Sequence, residues 1–341
     1  MVMLARRPLS LALQILHQAL PARWSSWWLR RRPPRFANLE VTTECNLRCP
    51  LCPTHLVPRE SRFLAVEQAL DVLNSSAGAL REVNFHIQGE PLVHPRLFEI
   101  VGHFHRRGVK TWIATNGQFI ERHLDALFES GLHGISIDID GADRQDYEKY
   151  RHGGEFDRVV RGVRRLTQEK RSRGSQTPIV KLQAIRFPYN VAREAELRSL
   201  LEGLGADDVR FKRPSYFHDF ERGLELGIEL DEAELKRSQE ASAEFLELVR
   251  EGRETFGEER ERPEGGRRFY RDRKICPQLK SASVLSDGRV VACCMDAIGS
   301  TTYGHLADQS FADIWSGKSH AELIERFARR ELPICQFCTL G

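Results

Sequence analysis

Six short runs rich in β-branched and aromatic residues recur along the first two thirds of the chain, and helical-period segments separate them. The runs are "NLEVTT", "EVNFHIQ", "VKTWIAT", "GISIDID", "PIVKLQAIRF" and "DDVRFKR"; between them stand "VEQALDVLN", "LFEIVGHFHRRG", "RHLDALFESG", "FDRVVRGVRRLTQEK" and "EAELRSLLEGLG". Strands that alternate with helices run parallel and are joined by right-handed crossovers, so the choice lies between an open doubly wound sheet and a complete or partial barrel. In either, functional groups gather at the carboxyl ends of the strands. The 341 residues leave room for one such α/β domain and a smaller second one.

Directly after the first run comes "CNLRCPLC", which places Cys45, Cys49 and Cys52 within eight residues of a chain that has only eight cysteines. They lie where the strand-end rule puts functional groups. A structural zinc site closes with four ligands, and His55 is near enough in sequence to be the fourth. An iron–sulfur cluster on three cysteines instead leaves one iron open, which is useful only where something else must bind there.

The chain carries a net charge of +3, which gives no bulk electrostatic case for nucleic-acid binding. The charge is unevenly spread. Residues 1–39 hold seven arginines and no acid, so the remainder is net acidic. The apolar run in this extension, "LSLALQILHQAL", has about 12 residues against the ~20 needed to span a bilayer. Its polar interruptions at Gln14, His17 and Gln18 count against a secretory signal. Trp24, Trp27 and Trp28 beside Arg30, Arg31 and Arg32 have the spacing of an interfacial helix, so peripheral membrane contact is one expectation; a helix packed on the protein's own surface is the other.

Between Glu229 and Arg273 the composition shifts to a charged helix with an apolar stripe and then a charge-rich connector containing Gly and Pro. The expected organisation is a basic extension over 1–35, a β/α domain over 36–228, a linker over 229–273 and a small C-terminal α+β domain over 274–341. In the last of these, "ASVLSDGRVVACC" reads as a β-hairpin turning at Asp287 and Gly288, and "SFADIWSGKSHAELIERFARR" as a final helix or helix pair. A unit this small calls for a staple. It holds five of the eight cysteines.

The "CNLRCPLC" segment resembles the CxxxCxxC signature of radical S-adenosylmethionine (SAM) enzymes. "QGEP" (Gln88 to Pro91), "TNG" (Thr115 to Gly117) and "SIDIDG" (Ser136 to Gly141) then follow on the second, third and fourth strands in that family's order. The resemblance covers about residues 36–215 and implies a partial (β/α)6 TIM-like barrel. It implies a [4Fe-4S] cluster on Cys45, Cys49 and Cys52, with SAM chelating the open iron through its amino and carboxylate groups. It also implies cofactor contacts from Gln88, Gly89 and Glu90, with Asn116, Ser136 and Asp138 as further candidates. Leu51 stands where the family often has an aromatic residue.

Cys276, Cys293, Cys335 and Cys338, with Gly288 between the first two, are similar to the ligand set of a SPASM domain or its single-cluster Twitch variant. Four thiolates imply one auxiliary [4Fe-4S] cluster, and a zinc ribbon is the structural alternative. Cys294 alternates to the opposite face from Cys293 and reads as a buried free thiol.

The expected function is a radical SAM oxidoreductase that dehydrogenates a small or carrier-linked molecule, served by a reductant such as flavodoxin or ferredoxin, in a reducing cytoplasm. The alternatives are modification of a ribosomal peptide or protein side chain, redox-neutral epimerisation, and a non-catalytic metal-binding scaffold.

Overall fold

The computed structural model describes residues 30–49, 52, 54, 59–212, 276–296, 299–332 and 335. The tryptophan-bearing extension, Leu51, His55, the 229–273 linker and Cys338 lie outside them.

A strand forms at each of the six runs, the first starting ahead of its run and leaving residues 40–43 outside it: β1 (Phe36–Leu39), β2 (Glu82–Asn84), β3 (Lys110–Thr115), β4 (Gly134–Asp138), β5 (Ile179–Ile185) and β6 (Asp208–Lys212). Helices α1 (Val66–Ser75), α2 (Leu97–Arg106), α3 (Leu124–Glu129), α4 (Arg144–Tyr150), α5 (Phe156–Ser172) and α6 (Glu194–Gly203) alternate with them. All pairings from β1 to β6 are parallel and sequential. With right-handed crossovers that order puts every helix on one face of the sheet, as in a barrel, and the sheet is not closed. It is a partial TIM-like barrel.

Alternation along the strands divides the sheet into two surfaces. Val83, Ile113, Ile135, Ile137, Val180, Leu182 and Ala184 are buried and form one apolar core with Leu73, Ile100, Phe104, Val163 and Leu201 of the helices. The opposite, concave face carries Asn38, Asn84, Trp112, Ser136, Asp138, Lys181 and Gln183, all half-buried. Near its floor the Lys181 ammonium lies 4.0 Å from the centre of the Trp112 ring, and His133 meets that ring edge-on. The core that holds the fold is therefore between sheet and helices, which leaves the concave wall polar.

The C-terminal part extends the same sheet. β7 (Ala282–Val284) pairs in parallel with β1, and β8 (Arg289–Val291) and β9 (Gly304–His305) continue antiparallel, giving the order β6-β5-β4-β3-β2-β1-β7-β8-β9 among the described residues. The β7–β8 hairpin turns at Asp287 and Gly288 as the sequence predicts. Gly288 has φ +92°, a value that L side chains rarely adopt. Two helices follow, α7 (Phe311–Ser316) and α8 (Lys318–Ala328); Ser310 caps the first by accepting from the Asp313 N–H. Phe311, Ile314 and Trp315 of α7 join the barrel's core.

A buried ion pair reinforces the join. Arg59 donates to both oxygens of Glu40 at 2.7 Å, and Glu40 also accepts from the Ser286 N–H and hydroxyl at 2.9 and 2.8 Å. The chain after β1, the end of the cysteine loop and the β7–β8 turn thus meet at one carboxylate. Among the described residues no helix is long and apolar enough to cross a membrane.

Candidate functional site

The loop that leaves β1 brings Cys45, Cys49 and Cys52 to the carboxyl edge of the sheet, with Cys49 buried and the other two half-buried. They pack with Leu47, Tyr150 and Phe187, which form an apolar wall behind the thiols. The loop is held by its backbone: Cys52 N–H donates to the Cys49 carbonyl at 3.0 Å, Arg48 N–H to that of His152 at 2.9 Å, and Leu47 N–H to Cys45 Sγ at 3.4 Å.

The turn after β2 is stitched to this loop. Glu90 N–H donates to the Glu44 carbonyl at 2.7 Å, and Gly89 N–H to the Thr54 hydroxyl at 3.2 Å, which lies 3.3 Å from Cys52 Sγ. Gly89 has φ +70°; a Cβ there would collide with the carbonyl oxygen of Thr42 and stand 2.9 Å from that of Glu44. Only glycine allows this approach.

Both oxygens of the Glu90 carboxylate are engaged by the protein. They accept from Leu92 N–H at 3.0 Å, the Thr115 hydroxyl at 2.6 Å and Asn116 N–H at 2.8 Å. Burial raises its pKa to about 7 against these stabilising donors. Glu90 ties the ends of β2 and β3 together, and Asn116 uses its amide to reach Asn46 Oδ1 at 2.9 Å and Cys45 Sγ at 3.8 Å.

Ser136 and Asp138 lie on the concave face of β4, as alternation predicts. Asp138 is 3.5 Å from an Arg151 nitrogen, and the same guanidinium binds the fully buried Asp140 at 2.5 Å. Arg151, just past the end of α4, escapes sequence reasoning because nothing in the period of α4 marks it. It is the buried cation of the site. Burial pushes the thiols of Cys45 and Cys49 up to about 12, and the Arg151 charge acts against that rise in both.

His86 is a second residue that sequence reading passed over, although its spacing of two from both Asn84 and Gln88 was the available signal. Its Nδ1, the Gln88 Nε2 and the Trp112 Nε1 are buried and have no hydrogen-bond partner among the described residues. Such atoms are costly unless a ligand or water meets them. Burial holds the His86 imidazole neutral, with its pKa lowered to about 4.

These features fit an iron–sulfur cluster and a polar cofactor: three soft thiols on one loop, an apolar wall behind them, the close-packed Gly89 turn and the unmet Gln88 amide next to it. Among the described residues no three Cys, His, Asp or Glu side chains converge on one ion-sized position. Sulfurs that bind different irons stand further apart than the ligands of a single ion.

In the C-terminal part Cys276 and Cys335 pack against Leu279, Ala292, Leu323, Ile324, Phe327 and Leu332. The Cys293 thiol is raised well above its ordinary range by burial and by the nearby Cys294 and Cys335. The structure thus gathers three of the four thiols expected there, while Cys338 lies outside the described residues.

Residues 39–181 match the family model of the Radical SAM superfamily, and residues 276–339 match that of the SPASM iron-sulfur cluster-binding domain. The chain is 34% identical over 134 residues to a GTP 3′,8-cyclase of Chlorobaculum tepidum, a match covering 38% of this chain and 40% of that protein. It is 28% identical over 168 residues to an AdoMet-dependent heme synthase of Methanosarcina barkeri, covering 47% and 48%. These matches span less than half of either relative. Among solved structures, SuiB of Streptococcus suis bound to S-adenosylmethionine superposes with a TM-score of 0.59 at 14% identity, over 93% of this chain and 73% of that one. That likeness is one of fold.

Proposed function

As a member of the radical SAM superfamily with a C-terminal SPASM domain, this chain is, we propose, an enzyme that oxidises a small or carrier-linked molecule by hydrogen-atom abstraction. The two domains imply SAM, a SAM-binding [4Fe-4S] cluster and auxiliary [4Fe-4S] chemistry. When bound, these groups supply reductive cleavage of the sulfonium to a 5′-deoxyadenosyl radical and a centre that can accept an electron.

The protein's part is to bind, orient and keep water out. Cys45, Cys49 and Cys52 hold the first cluster, and the Tyr150 and Phe187 rings against them shield it from solvent. The backbone carbonyls of the Gly89 turn and the side-chain carbonyl oxygen of Gln88 would accept from the cofactor's ammonium. Glu90 fixes that turn relative to Asn116, and Asn116, Ser136 and Asp138 would hold the cofactor's carboxylate and ribose. Cys276, Cys293, Cys335 and Cys338 hold one auxiliary cluster.

The observation that carries this reading is the convergence of the cysteine loop, the Gly89 turn and Asn116 at the mouth of a polar concave wall. The small-molecule preference is supported by the matched curated relatives, which are named for a nucleotide and for haem. A cytoplasmic setting belongs to the same proposal. The test is anaerobic incubation of reconstituted protein with SAM, dithionite and a panel of deuterated small molecules and peptides. One equivalent of deuterated 5′-deoxyadenosine per oxidised small molecule is expected; deuterium transfer from peptides alone overturns the substrate class.

A further inference from the structure

We infer that the floor end of the concave wall is an anion subsite, in which Lys181, Trp112 and His86 receive a carboxylate of the substrate. It deepens the proposed function, and rests on it, by narrowing the small molecule to one that carries a carboxylate.

The parallel register builds the subsite. Trp112 pairs with Asn84 on one side and with Gly134 on the other. Because Gly134 has no Cβ, the indole can lie over it; a Cβ there would collide with the Trp112 ring. One row further along, Ala114, Ser136 and Lys181 are cross-strand neighbours. His86, two residues beyond Asn84, falls in the same row by alternation. The row is therefore low in the middle, at alanine and serine, and tall at both ends, with the indole below it.

The groups around this hollow have donors left over. The cross-strand neighbour of Lys181 is Asp208, but that carboxylate accepts from Arg210 at 2.7 Å. The Lys181 ammonium turns instead to the Trp112 ring, 4.0 Å from its centre, and makes no ion pair among the described residues. A ring face leaves an ammonium's three N–H donors without acceptors. Trp112 Nε1, which can only donate, and His86 Nδ1 are buried and unmet as well. Asp138 does not fill the gap, since it lies two residues beyond Ser136, about 7 Å along the strand, and is held by Arg151 at 3.5 Å. Asp138 and Lys212 act on His86 in opposite senses, and burial keeps the imidazole neutral. The surplus is thus one positive charge and two neutral ring nitrogens.

A carboxylate matches that surplus: one negative charge, with acceptor positions for several donors. A phosphate dianion calls for a second cation, and a neutral group leaves the ammonium uncompensated. A molecule seated by its carboxylate at this end of the wall turns its other end toward the cysteine loop at the carboxyl edge of the sheet.

The test uses the full reconstituted chain, oxidised and without SAM, isotopically labelled at the indole nitrogen of its five tryptophans. The Trp112 signal is identified by its loss in Trp112→Phe. Acetate, butyrate and benzoate are titrated beside their amides, with ionic strength held constant by chloride. At least one carboxylate should shift the Trp112 N–H resonance saturably where its amide does not. Lys181→Met should raise the Kd of that carboxylate by about tenfold or more, with the remaining indole signals in place as evidence of an intact fold. Lys181→Arg, which keeps the charge, should bind it more tightly than Lys181→Met. No saturable shift with any carboxylate, an equal response to the amides, or an unchanged Kd in Lys181→Met each overturns the inference. Tighter binding of phenyl phosphate than of benzoate overturns the choice of carboxylate and assigns the subsite to phosphate. Carboxylate binding by a protein that oxidises no small molecule counts against the proposed function and not against the subsite; oxidation with no preference for carboxylates does the reverse.

Discussion

The Glu90 carboxylate accepts the backbone N–H of Asn116 at 2.8 Å and so joins the turn after β2 to the end of β3, directly beside the cysteine loop. Burial raises the folded-state pKa of this acid from 4.5 to about 7. A raised carboxyl binds its proton more tightly in the folded state, so its contribution is fully present below about pH 4.5 and is lost as pH rises to about 7. In the apo protein, wild-type stability should therefore fall relative to Glu90→Gln by on the order of 3 kcal/mol across that window. Urea denaturation at several pH values measures it, and parallel pH profiles for the two proteins would refute it.

Gly89→Ala should damage the first metal site selectively. The added methyl meets the Thr42 carbonyl oxygen in a backbone conformation with φ +70°, a strain of about 1–3 kcal/mol. Iron should drop by about half after reconstitution, because the auxiliary site depends on other residues. Full iron content in this variant would show that the close approach is dispensable.

Arg59→Met leaves the fully buried Glu40 carboxylate without its cation. The expected cost is about 3–5 kcal/mol, the usual range when one partner of a buried pair is removed. Because Glu40 also binds Ser286, the β7–β8 turn should gain hydrogen exchange first. A loss below about 1 kcal/mol would mean that the pair is effectively solvent-screened.

Arg151→Gln removes the cation that acts against the raised pKa of Cys45 and Cys49. Metal loading must displace the thiol protons, so its pH midpoint should move up by about one unit. The readout is iron bound per protein after reconstitution at a series of pH values. An unshifted midpoint would confine Arg151 to holding Asp138 and Asp140.

The strands were legible because each buries one alternate face against helices whose own period is clear; "GISIDID" shows Ile135 and Ile137 as the buried set and Ser136 and Asp138 as the concave one. The hairpin at Asp287 and Gly288 was legible because the turn demands that chemistry. The pairing of β1 with β7 was not, since two strands more than 240 residues apart leave no local mark of their contact. Glu40 illustrates the same limit: within "NLEVTT" it reads as an ordinary strand-end acid, and only the folded chain brings Arg59 and Ser286 to it. Short α4 was also passed over, although Asp143 caps it by accepting from the Asp146 N–H at 2.9 Å, because its seven residues are nearly all polar. At the site, the cysteines announced themselves by spacing, whereas Arg151 and His86 act through burial, which spacing does not report.

In the proposed function Cys45, Cys49 and Cys52 hold a cluster that presents SAM for cleavage. The measurement is iron, sulfide and zinc content of anaerobically reconstituted protein, followed by 5′-deoxyadenosine after addition of SAM and dithionite, in the wild type and in C45A/C49A/C52A. The wild type should bind about eight irons and form deoxyadenosine, and the variant should bind about four irons and form none. Deoxyadenosine from the variant, or zinc in place of iron in the wild type, would contradict it.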